Sequence, residues 1–270
     1  NRVSIGAQSF DVNLLKALER WHNPKSVAHA VEQVTAAGIQ DVSLDLIYAI
    51  PTQTQTQLED DLRKAVALNP THLSCYSLIY EPNTPLRVRL DRGFVRRVDH
   101  EVEASMFDTV MKVLRSRGYE QYEISNFAKR GYECNHNIAY WTNQSWWPFG
   151  PSASGHLDGR RWKNTPRISE YVGSHRMPPI VDVEVLDDDR SAGESFMVGL
   201  RLIKGMERNW VERLINQSNN EWRRDVIEHY IDIGMLHWQK DRLAFTAPGL
   251  CMADTVILAL LMQDDSITDT

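Results

Sequence analysis

The sequence has little cysteine, no long apolar run and no surplus of positive charge. Its three cysteines, Cys75, Cys134 and Cys251, are odd in number and far apart among 270 residues. That excludes a disulfide framework, and none of them stands in C-x-x-C spacing. A reducing, cytoplasmic setting is the natural expectation. The longest apolar stretch, Val256 to Met262, falls well short of the roughly 20 residues that span a bilayer, so no integral membrane segment is expected. Thirty-six acidic residues against thirty lysines and arginines give a formal charge of −6. A chain that bound nucleic acid by neutralising phosphates would show the opposite balance, so nucleic acid is not an expected partner. Internal repeats and low-complexity tracts are also missing. So are an initiator methionine and a signal-peptide pattern. The chain opens Asn1-Arg2-Val3-Ser4-Ile5-Gly6, already strand-like by its second or third residue. It therefore reads as the carboxyl portion of a longer protein that lacks its N-terminal segment.

What remains is ordinary globular material, with 42% apolar and 24% charged residues, enough for one or two folded units at about 150 residues each. Up to about residue 130 one rhythm repeats. Val3 to Gly6 reads as a strand and Asp11 to Arg20 as a helix with Leu14, Leu15 and Leu18 on one stripe. Asn23-Pro24 starts a second helix, with Asn as cap and Pro where no donor is needed. That helix should turn Val27, Ala30, Val31 and Val34 inward and end at Gly38. Val42 to Ile47 is the next strand, and Thr56 with Glu59 forms a capping box for the helix carrying Leu58, Leu62 and Val66. His72 to Ile79 is a third strand, Val98 to Arg117 a long helix, and Tyr122-Glu123-Ile124 a fourth strand. Alternation with long connections predicts parallel strands, hence an α/β fold built as an incomplete (β/α) barrel.

Beyond this the rhythm breaks. Gly131 to Trp162 reads as irregular and holds Trp141, Trp146, Trp147 and Trp162, half of the eight tryptophans. A helix through Leu200 with a Ser191/Glu194 capping box, a helix over Trp210 to Ile215 and another over Asn219 to Ile233 follow. Then come a hairpin at Leu236–Gln239 and Leu243–Thr246 and a last helix over Pro248 to Met262. This is a helical, winged-helix-like module. Three regions result: residues 1–130, an aromatic-rich stretch 131–185 and a helical domain 186–270.

In βα architectures chemistry sits at the carboxyl ends of the strands. Gln8 follows the first strand. Asp45 lies within Val42-Ser43-Leu44-Asp45-Leu46-Ile47, where period-2 alternation puts it on one face with Ser43. A buried, unpaired carboxylate is costly, so Asp45 needs a cation, hydroxyl donors or a ligand. A structural ion pair or water-bound polar layer would answer equally well. Tyr76, Ser77, Glu123 and Asn126 add polar groups to the same rim.

These stretches resemble radical S-adenosylmethionine (SAM) proteins of the oxygen-independent coproporphyrinogen oxidase group. The resemblance runs through residues 1–10, Ser43-Leu44-Asp45-Leu46-Ile47-Tyr48-Ala49-Ile50-Pro51, His72-Leu73-Ser74-Cys75-Tyr76-Ser77-Leu78, Glu81-Pro82-Asn83-Thr84-Pro85-Leu86 and Tyr122-Glu123-Ile124-Ser125-Asn126-Phe127-Ala128. Ala49 stands where the group usually has Gly. The resemblance implies the radical SAM type of incomplete barrel. It also implies that Gln8, Arg20 and Asp45 hold the methionine and ribose parts of SAM while the backbone near Ile79 passes the adenine. Arg20 reads alternatively as a cation at a helix C-terminus. The group's [4Fe-4S] cluster is held by C-x-x-x-C-x-x-C, a spacing that the three cysteines here lack. No cluster is therefore expected on this chain, which by itself should be catalytically silent.

His136 and Tyr140 are four apart and would share a helical face. An imidazole beside aromatic planes suits haem, although a buried histidine in an aromatic plug fits too. A zinc site at Cys134 and His136 would supply only two of four ligands. Asn135-His136-Asn137-Ile138-Ala139-Tyr140-Trp141 extends over the HNxxYW signature of that group's haem-chaperone branch, which hands haem to apoproteins. The resemblance implies haem or porphyrin as cargo, His136, Tyr140 and Trp141 as contact candidates and an apoprotein as recipient. Trp146 to His156 resembles the same branch's small-residue loop. Its Gly150, Ser152, Ala153, Ser154 and Gly155 would let backbone approach a ligand, and His156 reads as an exposed loop histidine, less suited as an iron ligand. The alternatives are coproporphyrinogen III oxidation with SAM and, more remotely, a DNA-binding winged helix. The only basic cluster of that module is Trp222-Arg223-Arg224.

Overall fold

The computed structural model describes residues 1–218 and 221–261. The chain forms two compact units, Asn1–Glu133 and Cys134–Thr270.

The first unit follows the βα rhythm. Strand β1 (Arg2–Gln8) leads to helix α1 (Val12–Ala17), capped by Asp11, and α2 (Pro24–Ala36), capped by Asn23 through a bond from Lys25 N–H. Then come β2 (Asp41–Tyr48), α3 (Gln55–Ala67), β3 (His72–Ser77), α4 (Pro85–Asp91), α5 (His100–Ser116), β4 (Glu120–Glu123) and β5 (Asn126–Ala128). Strands β1, β2 and β3 pair in parallel with Leu44 opposite Leu73. Leu73 in turn faces Phe127 of β5, which carries an apolar row across the sheet. All three side chains are buried, and α3 and α5 pack on β2 from that side together with Leu58, Leu62, Met106 and Val110.

Three expectations for this unit need correction. The fourth strand is not a simple parallel addition, because β5, only three residues long, enters between β3 and β4 and pairs antiparallel with both. The capping box sits at Thr54 and Gln57, which bond each other's backbone N–H. Thr54 and Thr56 both have a Gln or Glu three residues on, so the sequence pattern could not choose between them. Along α2 only Val27 is fully buried, and Ala30, Val31 and Val34 stay half-exposed.

In the second unit the stretch expected to be irregular folds. Helix α6 (Asn135–Trp141) is followed by β6 (Ser154–Leu157), β7 (Arg160–Asn164), α7 (Ile168–Gly173) and β8 (Ile180–Val185). The three strands form an antiparallel sheet in chain order. Strand β8 is an edge with every residue exposed, and it bulges where Asp182, at φ 52°, interrupts the pairing with β7. Helix α8 (Asp188–Gly199) is capped by Asp187, not Ser191. Acids at positions 187–189 suit the positive end of the helix dipole, so the helix begins earlier than the Ser191/Glu194 pattern indicated. Glu194 instead pairs with Arg161 of β7. Strand β9 (Met206–Glu207), α9 (Arg208–Ser218), α10 (Glu221–Asp232), β10 (Leu236–Gln239), β11 (Arg242–Phe245), α11 (Ala247–Cys251) and α12 (Ala253–Leu261) complete the chain. Their three-stranded sheet, in the order β10-β11-β9, makes the helical module winged-helix-like. The hairpin closes on Lys240 and Asp241, both with positive φ, as a two-residue turn between right-twisted strands requires. The expected helix limits Asn219 and Met262 lie outside the described residues. No helix among the described residues is long and apolar enough to cross a membrane.

Candidate functional site

The face of the first sheet turned away from α3 and α5 is polar, and strand alternation builds it. Ser4 and Gly6 of β1 stand opposite Ser43 and Asp45 of β2, which face His72 and Ser74 of β3. Ser74 faces Asn126. The bonding within this face is dense. Ser4 Oγ reaches both oxygens of Asp45, at 2.9 and 2.8 Å. Asp45 is only half-buried, not enclosed as its apolar strand suggested, and the exposed Ser4 hydroxyl supplies it with a donor. Ser43 Oγ lies 2.8 Å from His72 Nδ1, and Tyr122 Oη lies 2.9 Å from His72 Nε2. Burial holds this imidazole neutral, with its pKa pushed down to about 4. Glu123, fully buried, accepts from Ser125 N–H and from the Asn126 amide. Burial raises the pKa of Tyr76, whose hydroxyl bonds Ser74 and Asn126. Ser77 belongs to the other face and donates to Glu103 of α5, so it does not share the rim with Tyr76.

Gln8 reaches this face through a bulge. The register slips between Gly6 and Gln8, and Gln8 has φ 60°. Its amide folds over Gly6, where a Cβ would meet Nε2 at 2.7 Å. Because Gly6 is the register neighbour of Asp45, the Gln8 amide and the Asp45 carboxylate share one face on adjacent strands. The corner that follows is anchored from α3. Buried Asp61 accepts from Ser9 Oγ at 2.6 Å and from Phe10 N–H at 2.7 Å. Burial raises its pKa while these two bonds oppose the shift. Asp61, Ser4 and the His72–Tyr122 pair were missed in the sequence. Only their pairing across strands gives them a role, and a single strand's pattern does not encode that.

Arg20 lies beyond the end of α1, exposed, and no ion pair joins it to Asp45 among the described residues. Ile79, just past β3, is 71% exposed, and its backbone makes no hydrogen bond to other described residues.

In the second unit four rings touch edge to face. His136 lies 4.6 Å from Tyr140, Tyr140 lies 4.4 Å from Trp146, and Trp146 lies 4.8 Å from His156. The i, i+4 spacing on α6 makes the first contact. His136, at the outer end, is exposed. His156, at the inner end, is buried within β6 and is not the exposed loop histidine expected. Its Nδ1 lies 3.1 Å from Gln144 O. A carbonyl can only accept, so Nδ1 carries the proton and Nε2 keeps its lone pair. Burial lowers this pKa as well. Trp141 stands apart from the stack, with the Arg201 guanidinium 4.6 Å above its ring and its buried Nε1 unbonded. Gly155 does not open space for a ligand. A Cβ there would meet both Pro148 and Trp162 at 2.7 Å, so the chain's own side chains fill the approach.

The basic cluster of the winged-helix-like module is engaged internally. Arg223 is fully buried, bonded to Asp189 and to Leu260 O, and Arg224 pairs with Glu212 and Glu221. The cysteines are dispersed: Cys75 is buried with its thiol pKa raised by desolvation, Cys134 is half-buried and Cys251 exposed. Among the described residues no three His, Cys, Asp or Glu side chains gather as metal ligands do. The donor set does not fit a three-thiolate cluster.

No family model matches the chain. It is 33% identical over 264 residues to the heme chaperone HemW of Lactococcus lactis subsp. lactis (strain IL1403), covering 98% of this chain and 70% of that protein. It is 31% identical over 263 residues to that of Bacillus subtilis (strain 168), covering 97% and 69%. With that of Escherichia coli (strain K12) the identity is 36% over 218 residues, covering 77% and 54%. Among solved structures it is similar to the coproporphyrinogen III oxidase HemN of Escherichia coli, described as a radical SAM enzyme. The TM-score is 0.74 at 14% identity, covering 96% of this chain and 64% of that one. That likeness shows a shared fold. The chain spans about two thirds of the length of these proteins. With a third of its residues identical across nearly its whole length, the chain belongs to the HemW family.

Proposed function

We propose that this chain carries haem as cargo on its second unit and delivers it to an apoprotein. The observation that carries the reading is the stack His136–Tyr140–Trp146–His156, which ends in an exposed imidazole. An imidazole can ligate iron, and one ring face among these edge-to-face rings gives a macrocycle a surface to lie on. Trp146 takes the platform role, while Trp141 lies under Arg201. The name shared by the relatives supports the same reading. Coproporphyrinogen oxidation rests on likeness of fold alone.

For the first unit, the polar face suits the sugar and methionine of SAM. Asp45 would accept from ribose hydroxyls, and the Gln8 amide beside it would bond the methionine end. The open backbone at Ile79 would meet the adenine, and Arg20 would join only on swinging inward. SAM bound to a reduced cluster supplies a 5′-deoxyadenosyl radical. The three dispersed cysteines of this chain do not fit such a cluster. A reducing, cytoplasmic setting accords with three dispersed, unpaired cysteines.

Haem titration of the chain and of His136→Ala tests the cargo reading. The expected result is a shifted Soret band in the parent and at least a tenfold weaker, differently shaped response in the variant. Identical spectra would remove His136 as the iron ligand.

A further inference from the structure

The first unit contains a cavity of about 650 Å³ that neither site uses. Its walls come from all three connections that follow the parallel strands: Ala17 after β1, Pro51 to Gln53 after β2, and residues between Arg89 and Val102 after β3. It therefore opens at the carboxyl end of the sheet, where βα folds bind ligands.

Its electrostatics run against those of the chain. The protein is acidic overall, yet Arg89, Arg96 and Arg97 line this cavity against a single acid, Asp99. Arg89 lies 4.0 Å from Glu19. Arg97 is held with its guanidinium 4.6 Å over the ring of buried Tyr80. Arg96 and Arg97 have no carboxylate partner among the described residues. An independent observation comes from Gln53, which is only 5% exposed. Its Oε1 accepts from Ile50 N–H at 3.3 Å, which fixes the amide. Its Nε2, buried in the cavity wall, has no partner. Buried donors are rarely left unsatisfied in a folded chain. A fixed neutral donor beside guanidinium groups suits an acceptor, and planar guanidinium matches carboxylate geometry. Phe94, 72% exposed on the same wall, adds apolar surface.

We propose that this cavity is an anion site for paired carboxylates on an apolar body, with Arg96 and Arg97 as the charged partners and Gln53 Nε2 as the neutral one. The bearer is a tetrapyrrole with two propionates or a free dicarboxylate. Naming the tetrapyrrole rests on the cargo reading, whereas the anion site itself does not.

Fluorescence titration of the full chain with metal-free protoporphyrin and with its dimethyl ester tests this, because neither carries iron for His136 to ligate. The expected result is at least tenfold tighter binding of the diacid. In the R96Q/R97Q double variant that preference should fall below about twofold, and Gln53→Leu should weaken diacid binding while far-UV dichroism stays unchanged. If neither porphyrin binds but calorimetry shows succinate binding that R96Q/R97Q abolishes, the site stands with a free dicarboxylate as ligand and the tetrapyrrole is removed. Equal affinity for acid and ester in the parent overturns the proposal. So does a preference that survives R96Q/R97Q, or the absence of binding by porphyrin and succinate alike. Identical haem spectra for the parent and His136→Ala would count against the cargo reading, and with it the naming of the tetrapyrrole, but not against the anion site, whose readouts contain no iron.

Discussion

In the first unit, polar side chains on one sheet face are bonded to each other: Ser4 to Asp45, Ser43 to His72 to Tyr122, and Asn126 to Glu123. In the second, four rings touch by their edges, and the outermost imidazole is left in solvent. The first arrangement fixes where acceptors and donors stand. The second offers separate, mutually inclined ring faces and an exposed imidazole, with its hydrogen bonds confined, among the described residues, to the inner His156 and Trp146. On the proposed reading, a ligand with hydroxyls and an amine would meet the former and a planar, metal-bearing one the latter.

The contrast can be broken most severely at Gly155. Gly155→Val would drive a branched side chain into Pro148 and Trp162, at a cost of up to about 3 kcal/mol. Thermal unfolding followed by near-ultraviolet dichroism should show an earlier loss of the tryptophan signals, while hydrogen exchange in β1 to β3 is unaffected. Equal effects in both units would mean that they do not fold as separate bodies.

Next in size is the pH response of His72. Its pKa falls from 6.5 to about 4 on folding, so the unfolded chain binds the proton more readily. The stability from the neutral ring is complete above pH 6.5 and drains away as pH drops towards 4. By pH 4.5 the loss is on the order of 2 kcal/mol. Amide exchange of Leu44 and Leu73 at pH 7 and 4.5 would register it, and His72→Gln should flatten that dependence. A response of the same size in the variant would assign it to other groups.

A smaller effect is expected for Ser4→Ala, which removes the hydroxyl serving both Asp45 oxygens. About 1 kcal/mol should be lost in urea unfolding of the first unit. No change at all would mean that water replaces the hydroxyl fully. Smallest of all is His136→Ala, whose exposed ring should contribute less than about 0.5 kcal/mol to stability. A large destabilisation there would make the ring structural.

Much of the first unit was legible in sequence because its signals are local. Asn23-Pro24 caps a helix, Leu14 and Leu15 form a stripe, and Ser43 and Asp45 share a strand face. The His136/Tyr140 pair was readable in the same way, from helical spacing. What escaped depends on partners distant in the chain. Strand β5 is three residues long, too short for alternation to show. Strand β8 does alternate, with Val181, Val183 and Val185 set between Asp182 and Glu184, but it is exposed throughout and sits in a stretch whose tryptophans and small residues read as a loop region. Gln8 reaches Asp45's face only through a bulge, and His156 becomes a buried, oriented imidazole only because β6 brings it to Gln144 O. Arg20 was expected to converge on Asp45, but side-chain position beyond a helix end is not set by periodicity.

Strand β8 carries Val181, Val183 and Val185 on an open edge, the kind of surface along which identical chains can zip together. Its left-handed kink at Asp182 breaks the row of outward amides into short lengths. A neighbour laid alongside would find its ladder out of step after two or three rungs. The same irregularity that spoils the pairing with β7 thus works against edge-to-edge pairing of identical chains.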